Sequence, residues 1–162
     1  RFGWSKGSLL NFCIGQGEIL VTPIQVFNYV NLLATKGNSN SPHLVSSTKK
    51  DSENEIPLSS QIWDRIIFDM GQVISHAKGT GKNADPAIQG AKIYGKTGTA
   101  ENPHGEDHAW FIGWVEYEKK KFSIVVLLEN SGSGGAVAAP LAKNVFDKII
   151  LGINNLNQIS MK

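Results

Sequence analysis

Cysteine is nearly missing from this chain: Cys13 is the single one in 162 residues. An internal disulfide is therefore excluded, and a cysteine-based metal site has no second thiolate to draw on. A lone thiol suits either a reducing compartment or an exported protein that avoids thiols. Excess charge is also scarce. The formal net charge is +2, and no Lys/Arg block with interleaved aromatics occurs, so no nucleic-acid partner is expected. No apolar run reaches the roughly 18 residues that a membrane helix needs, and no signal-peptide pattern opens the chain. The first residue is Arg1 rather than Met, which raises the expectation of a piece of a longer protein. The rest is ordinary for a soluble globular domain: 41% hydrophobic and 19% charged residues, enough chain for one real core, and no internal repeat or low-complexity tract.

Hydrophobic periodicity and punctuation predict the elements. Residues 1 to 20 are broken by Gly3, Gly7, Gly15 and Gly17 and read as irregular, with a structured turn over Ile14 to Glu18. Thr22-Pro23 is a helix start, because Thr caps and Pro lacks the N–H that would go unpaired there. Ile24, Phe27, Val30 or Tyr29, Leu33 and Ala34 then recur at helical spacing, and Lys36-Gly37 reads as a basic last turn with a C′ glycine. Residues 38 to 58 are polar and loop-like, with a possible short strand at His43-Leu44-Val45. Ser59-Ser60 caps a second helix with Ile62, Ile66, Ile67, Met70, Val73 and Ile74 as its apolar stripe, ending near His76 to Gly79 before a flexible loop to Pro86. Three strands follow, Gly90 to Thr99, His108 to Glu116 and Lys121 to Leu128, the last two joined by a charged hairpin tip. A Gly-rich turn, Gly132 to Gly135, leads to a last helix with Val137, Leu141, Val145, Ile149 and Ile150 as its apolar face, and Asn154 to Lys162 reads as a frayed polar tail. The order is helix, helix, three antiparallel strands, helix. The fold class is α+β, with helices packed on an antiparallel sheet.

The densest run of small, hydroxyl-bearing and cationic residues is Tyr94-Gly95-Lys96-Thr97-Gly98-Thr99-Ala100. It suits an anionic ligand: the Lys gives charge, the hydroxyls give hydrogen bonds, and Gly98 lets a ligand approach the backbone. Gly90 to Thr97 matches the phosphate-loop pattern G-x-x-x-x-G-K-[ST], and Ile124 to Glu129 imitates the acidic strand that would hold Mg²⁺. The mechanism of that loop requires a helix opening at the Lys, whereas Ala91 to Tyr94 is strand-like and Gly98 to Gly105 is a poor helix start. The competing motif is Lys96-Thr97-Gly98, the K-T-G element of penicillin-binding proteins and class A β-lactamases. Its setting would be an edge strand facing a serine nucleophile. Such a strand can bind an extended peptide by strand addition, with the Thr99 N–H helping to hold a carbonyl oxygen as it becomes an oxyanion.

Further segments carry a resemblance. Ile14-Gly15-Gln16-Gly17 with Val21-Thr22-Pro23-Ile24-Gln25, Pro42-His43-Leu44-Val45, Lys96 to Glu101, and His108-Ala109-Trp110-Phe111-Ile112-Gly113 occur in this order. Together they resemble the C-terminal part of the transpeptidase domain of class B penicillin-binding proteins, the elongation-type penicillin-binding protein 2 branch in particular. The resemblance implies a partial penicillin-binding-protein/β-lactamase-like fold of three C-terminal strands and three helices, with residues 1–153 in the transpeptidase domain and 154–162 as tail. It implies a D,D-transpeptidase that cross-links peptidoglycan stem peptides through a serine acyl-enzyme and is acylated by β-lactam antibiotics, without a cofactor or metal. Lys96 would place positive charge near substrate carboxylate and nucleophile. Thr97 and Thr99 would bind that carboxylate, Gly98 would leave room, and the Thr99 N–H would form half of the oxyanion hole. Apart from the resemblance, Trp110, Trp114 and Phe111 read as core, with Trp110 also placed to line a groove because it follows the K-T-G strand. The parent protein would sit in the periplasm on an inner-membrane anchor outside this chain and meet membrane proteins of the elongation machinery.

The departure from the family pattern is the nucleophile. Its Ser-x-x-Lys motif has one formal match, Ser46-Ser47-Thr48-Lys49, in a polar stretch without a helix pattern, and Ser39-Asn40-Ser41 gives no convincing Ser-x-Asn. The chain is thus expected to hold one wall of an active site and to be inactive alone. An unpaired sheet edge at Gly90 to Thr99 or Lys121 to Leu128 would favour self-association. His104, Asp107 and His108 carry metal-ligating side chains but read first as solvated polar surface, and Cys13 is read as a small apolar residue. Two alternatives stay open: a β-lactamase or β-lactam-sensor relative, and a non-catalytic binding module.

Overall fold

The computed structural model describes residues 3, 5–17, 20–39, 42 and 54–160. His43 to Val45 and Ser46 to Lys49 lie outside the described residues. The glycine-punctuated start is not irregular throughout: Lys6–Cys13 forms helix α1, capped by the Ser5 hydroxyl, which accepts from the Ser8 N–H. Cys13 ends it as an exposed free thiol. Helix α2, Pro23–Ala34, begins where Thr22-Pro23 predicts. The cap is reciprocal, since the Thr22 hydroxyl accepts from the Gln25 N–H and the Gln25 side chain accepts from the Thr22 N–H at 2.8 Å. At its other end Lys36, not Gly37, takes the C′ position, with φ +56°. Gly37 follows and donates its N–H to the Leu32 carbonyl at 2.7 Å, closing a Schellman motif.

A two-residue antiparallel pair, β1 Asn38–Ser39 with β2 Asn54–Glu55, leads to helix α3, Ser60–Ser75. Its buried residues are Trp63, Met70 and Ile74, with Ile66, Ile67 and Val73 partly covered. Ile62 belongs to the outer face instead, because Trp63 is the residue that turns inward. The stretch from Gly79 to Pro86 is held by a short 3₁₀ turn, Lys82–Ala84.

Strands β3 (Lys92–Ala100), β4 (His108–Tyr117) and β5 (Lys120–Leu128) form an antiparallel sheet in that order. The β4–β5 connection is a two-residue turn whose Glu118 and Lys119 both have positive φ, as a primed hairpin turn requires. Helices cover both faces. On one, Phe111, Val115, Ile93 and Ala109 pack against Ala139, Ala142, Phe146 and Ile150. On the other, Trp114, Tyr94 and Ile112 pack against Val30, Leu33, Trp63 and Met70 from α2 and α3. Burying each large apolar side chain contributes about 1.5–3 kcal/mol before conformational entropy is counted.

After a π-helical turn, Gly134–Ala138, helix α4 runs over Ala139–Ser160. Its inward face is Ala139, Ala142, Phe146, Ile150 and Ile153, whereas Leu141 and Val145 are exposed. The small residues win the inner face because α4 starts hard against the sheet. The helix also continues through the stretch read as a frayed tail, where Asn154 Oδ1 accepts a hydrogen bond from the Tyr117 hydroxyl at 2.8 Å. Among the described residues, no helix is long and apolar enough to cross a membrane.

Candidate active-site wall

Lys96, Thr97, Gly98 and Thr99 lie in the middle and outer half of β3, which forms one edge of the sheet. Lys96 is inside a strand, so the phosphate-loop geometry, which needs a helix opening there, does not form. Period-two alternation splits the run between the two faces. Lys96 and Gly98 share the face of Tyr94 and pair across to Ile112 and Trp110. A Cβ on Gly98 would lie 3.3 Å from Trp110 Cβ, so the bare Gly98 and the half-buried Trp110 make a shallow step beside Lys96. Thr97 and Thr99 point to the opposite face.

The backbone edge joins the two halves. Gln16 Nε2 donates to the Thr99 carbonyl at 3.0 Å, and Lys96 Nζ donates to the Thr97 carbonyl. Both carbonyls therefore point away from β4. In an antiparallel ladder the N–H and C=O of one residue leave the strand on the same side. The N–H groups of Thr97 and Thr99 are thus also directed at the free edge. That edge directs donors and acceptors outward in the alternation an extended peptide needs, its two carbonyls held by the Gln16 and Lys96 side chains, which a peptide N–H would have to displace.

The hydroxyls are organised from behind. Thr97 is buried, and its Oγ1 is 2.7 Å from Thr80 Oγ1. Thr99 is exposed, and its Oγ1 accepts from the Gly134 N–H at 3.4 Å. Neither Thr80 nor Gln16 was singled out by its chemistry in the sequence. Thr80 is an isolated hydroxyl between two glycines, and Gln16 is 83 residues from its partner. The only available signal was that Gln16 stands inside a recognisable motif.

At the Thr99 end, a cleft of about 730 Å³ opens between the turn after α1 and the β3–β4 loop, lined by Asn11, Ile14, Gln16, Gly17, Glu101, Asn102, Pro103 and Asp107. The loop is tied internally, the Asn102 N–H donating to Asp107 Oδ1 and the His104 N–H to Asn102 Oδ1, and it is tied to the segment after β5, where Asn102 Nδ2 donates to Asn130 Oδ1 at 2.6 Å. His108 Nδ1 accepts from the Asn130 N–H at 3.0 Å. Among the described residues, no group of three His, Cys, Asp or Glu side chains comes together in a metal-binding arrangement.

The family model for the penicillin binding protein transpeptidase domain matches residues 1–147. The peptidoglycan D,D-transpeptidase MrdA of Haemophilus influenzae is 32% identical over 89% of this chain, which corresponds to 26% of that protein. Pseudomonas aeruginosa PBP2, solved with WCK 5153, superposes with a TM-score of 0.78 at 35% identity, covering 89% of this chain and 32% of that one. Helicobacter pylori PBP2, solved in complex with MreC, gives 0.70 at 30% identity, covering 89% and 28%. The imipenem acyl-enzyme of penicillin-binding protein A from M. tuberculosis gives 0.69 at 28% identity, covering 85% and 32%. The chain therefore spans about a quarter to a third of the length of these relatives. The edge-strand geometry, the match over residues 1–147 and the shared α+β arrangement agree: this chain belongs to the penicillin-binding protein transpeptidase domain family.

Proposed function

We propose that the chain is the C-terminal wall of a peptidoglycan D,D-transpeptidase active site, completed by a serine nucleophile from a part of the parent protein outside these residues. The observation that carries this reading is the free β3 edge, where the Thr99 N–H and C=O face outward next to Lys96. A stem peptide adds to this edge as an extra strand. Its terminal carboxylate meets the Thr97 and Thr99 hydroxyls on one face of that edge, with the charge of Lys96 across it and Gly98 and Trp110 lining the other face. The serine oxygen attacks the scissile carbonyl, and the Thr99 N–H donates to the oxygen as it gains charge. The carbonyl–nitrogen bond breaks, the proton from the serine hydroxyl ends on the departing amine, and the acyl group stays on the serine. The amine of a second stem peptide then takes the acyl group and frees the enzyme. A β-lactam enters the same sequence but its leaving amine stays tethered, which supports inhibition as a stable acyl-enzyme.

The parent is read as an inner-membrane-anchored protein with this domain in the periplasm, working with membrane proteins of the elongation machinery. The complex of a similar PBP2 with MreC supports that partner class. By itself the chain should neither acylate nor cross-link. Its two sheet edges, β3 and β5, favour self-association. Intact mass with and without penicillin tests the reading on the full-length protein, with this chain as control. One added penicillin on the parent and none on this chain is expected. No addition to a folded parent refutes the acyl-enzyme, and addition to this chain moves the nucleophile to Ser46. A monomer by light scattering at high concentration refutes the self-association.

A further inference from the structure

We propose that Thr80 is a positioning residue for the carboxylate-binding hydroxyl of Thr97, and so sets recognition of the substrate's terminal carboxylate. The inference rests on the transpeptidase reading above. The two hydroxyl oxygens are 2.7 Å apart, and Thr97 is 8% exposed, so its rotor has few choices. A hydroxyl has one proton and two lone pairs, while a carboxylate can only accept. For Thr97 to bind a carboxylate, its proton must point to the ligand. Its oxygen must then be the acceptor of the inner bond, and Thr80 the donor. With Thr80 donating, each hydrogen bond in the row from Thr80 to Thr97 to ligand polarises the next. Without Thr80, the Thr97 rotor loses the partner that holds its proton outward.

Thr80 is held in place by three close approaches. A Cβ on Gly79 would lie 2.3 Å from the Val73 carbonyl oxygen, and one on Gly81 would lie 2.9 Å from Ile74 Cδ1. The Gly81 N–H donates to the same Val73 carbonyl at 3.0 Å. These contacts press the Thr80 loop onto the end of α3. On the other side a Cβ on Gly135 would lie 2.6 Å from the Thr80 carbonyl oxygen, and Asn83 Nδ2 donates to the Gly135 carbonyl at 3.1 Å. The loop is wedged between α3 and the turn before α4, and the Thr80 side chain reaches β3 from that wedge.

The test uses the full-length protein and two probes, benzylpenicillin and its methyl ester, which lacks the carboxylate charge. Thr80→Val keeps the shape and removes the hydroxyl; Thr80→Ser keeps the hydroxyl. Acylation of Thr80→Val by benzylpenicillin should slow by about three- to tenfold, the size of one lost hydrogen bond. Acylation by the ester should be unchanged, Thr80→Ser should restore the wild-type rate, and KM for a pentapeptide substrate should rise more than kcat falls. Equal loss with acid and ester, or equal loss in Val and Ser variants, overturns the proposal in favour of a purely structural loop. A wild-type rate in Thr80→Val also overturns it. Failure of the wild-type protein to acylate with either probe would instead remove the transpeptidase reading, and this proposal with it.

Discussion

Gly134 offers the sharpest test of how the fold holds the site. It lies directly over the Gly98–Trp110 pair of the β3–β4 ladder. A Cβ placed on it would be 2.2 Å from the Trp110 carbonyl oxygen and 2.3 Å from that of Gly98. Both obstacles are backbone, locked in the sheet, and cannot rotate away. In Gly134→Ala the turn must therefore retreat by about an ångström to reach ordinary contact near 3.4 Å. That lifts the start of α4, where Ala138, Ala139 and Ala142 are fully buried against the sheet. Overpacking of this kind costs about 1–3 kcal/mol. The same retreat breaks the 3.4 Å bond from the Gly134 N–H to Thr99 Oγ1, so the Thr99 hydroxyl loses its orientation. Denaturant unfolding of the full-length variant should show a lower midpoint with an unchanged slope, and its second-order acylation by penicillin should fall by about two- to tenfold. A variant within about 0.5 kcal/mol of the parent would refute the packing argument. A destabilised variant that acylates normally would refute the link from this turn to Thr99.

Other positions give contrasting outcomes. Gly152 lies within α4, and a Cβ there meets nothing within 4 Å; Gly152→Ala should raise stability by up to about 1 kcal/mol in the same unfolding assay. Tyr94 stacks on Trp114 with ring centroids 5.0 Å apart, and burial, reinforced by the nearby Glu116 carboxylate, pushes its phenol above the ordinary tyrosine value. A raised folded value means that this share of stability is fully present below about pH 10 and is lost as pH rises through the folded value. An alkaline titration followed by tyrosinate absorbance should lose a step above the ordinary tyrosine value in Tyr94→Phe, and an unchanged titration would refute the shift. Gln16 occupies the Thr99 carbonyl that a peptide N–H would take. Gln16→Ala should speed acylation by a β-lactam with an amide side chain by about two- to tenfold and leave one without that amide unchanged; equal effects on both would remove Gln16 from substrate recognition.

Local patterns were enough for much of this chain. Thr22 and Pro23 start α2 because capping is decided by the neighbouring residue types, and the structure adds Gln25 to the same cap. The β4–β5 hairpin and the strand around Lys96 are legible because period-two alternation and a short charged turn need no distant partner. Where several apolar positions competed, the pattern misled. Leu141 and Val145 rank above Ala139 and Ala142 in hydrophobicity, yet α4 approaches the sheet so closely that only the alanines fit between them. Ile62 lost its place to Trp63 in the same way, because shape against α2 and the sheet outweighed spacing. The chemistry-bearing run Lys96 to Thr99 was available from the sequence because it is contiguous, and the family it belongs to because further segments, Ile14 to Gln25 and His108 to Gly113 among them, occur with it in order. Alternation along the strand already puts Lys96 and the two threonines on opposite faces; tertiary structure alone decided that this strand is an edge of the sheet, and that Thr80 and Gln16 reach it. Those contacts join segments 17 and 83 residues apart, and their formation depends on close backbone approaches that no local periodicity records.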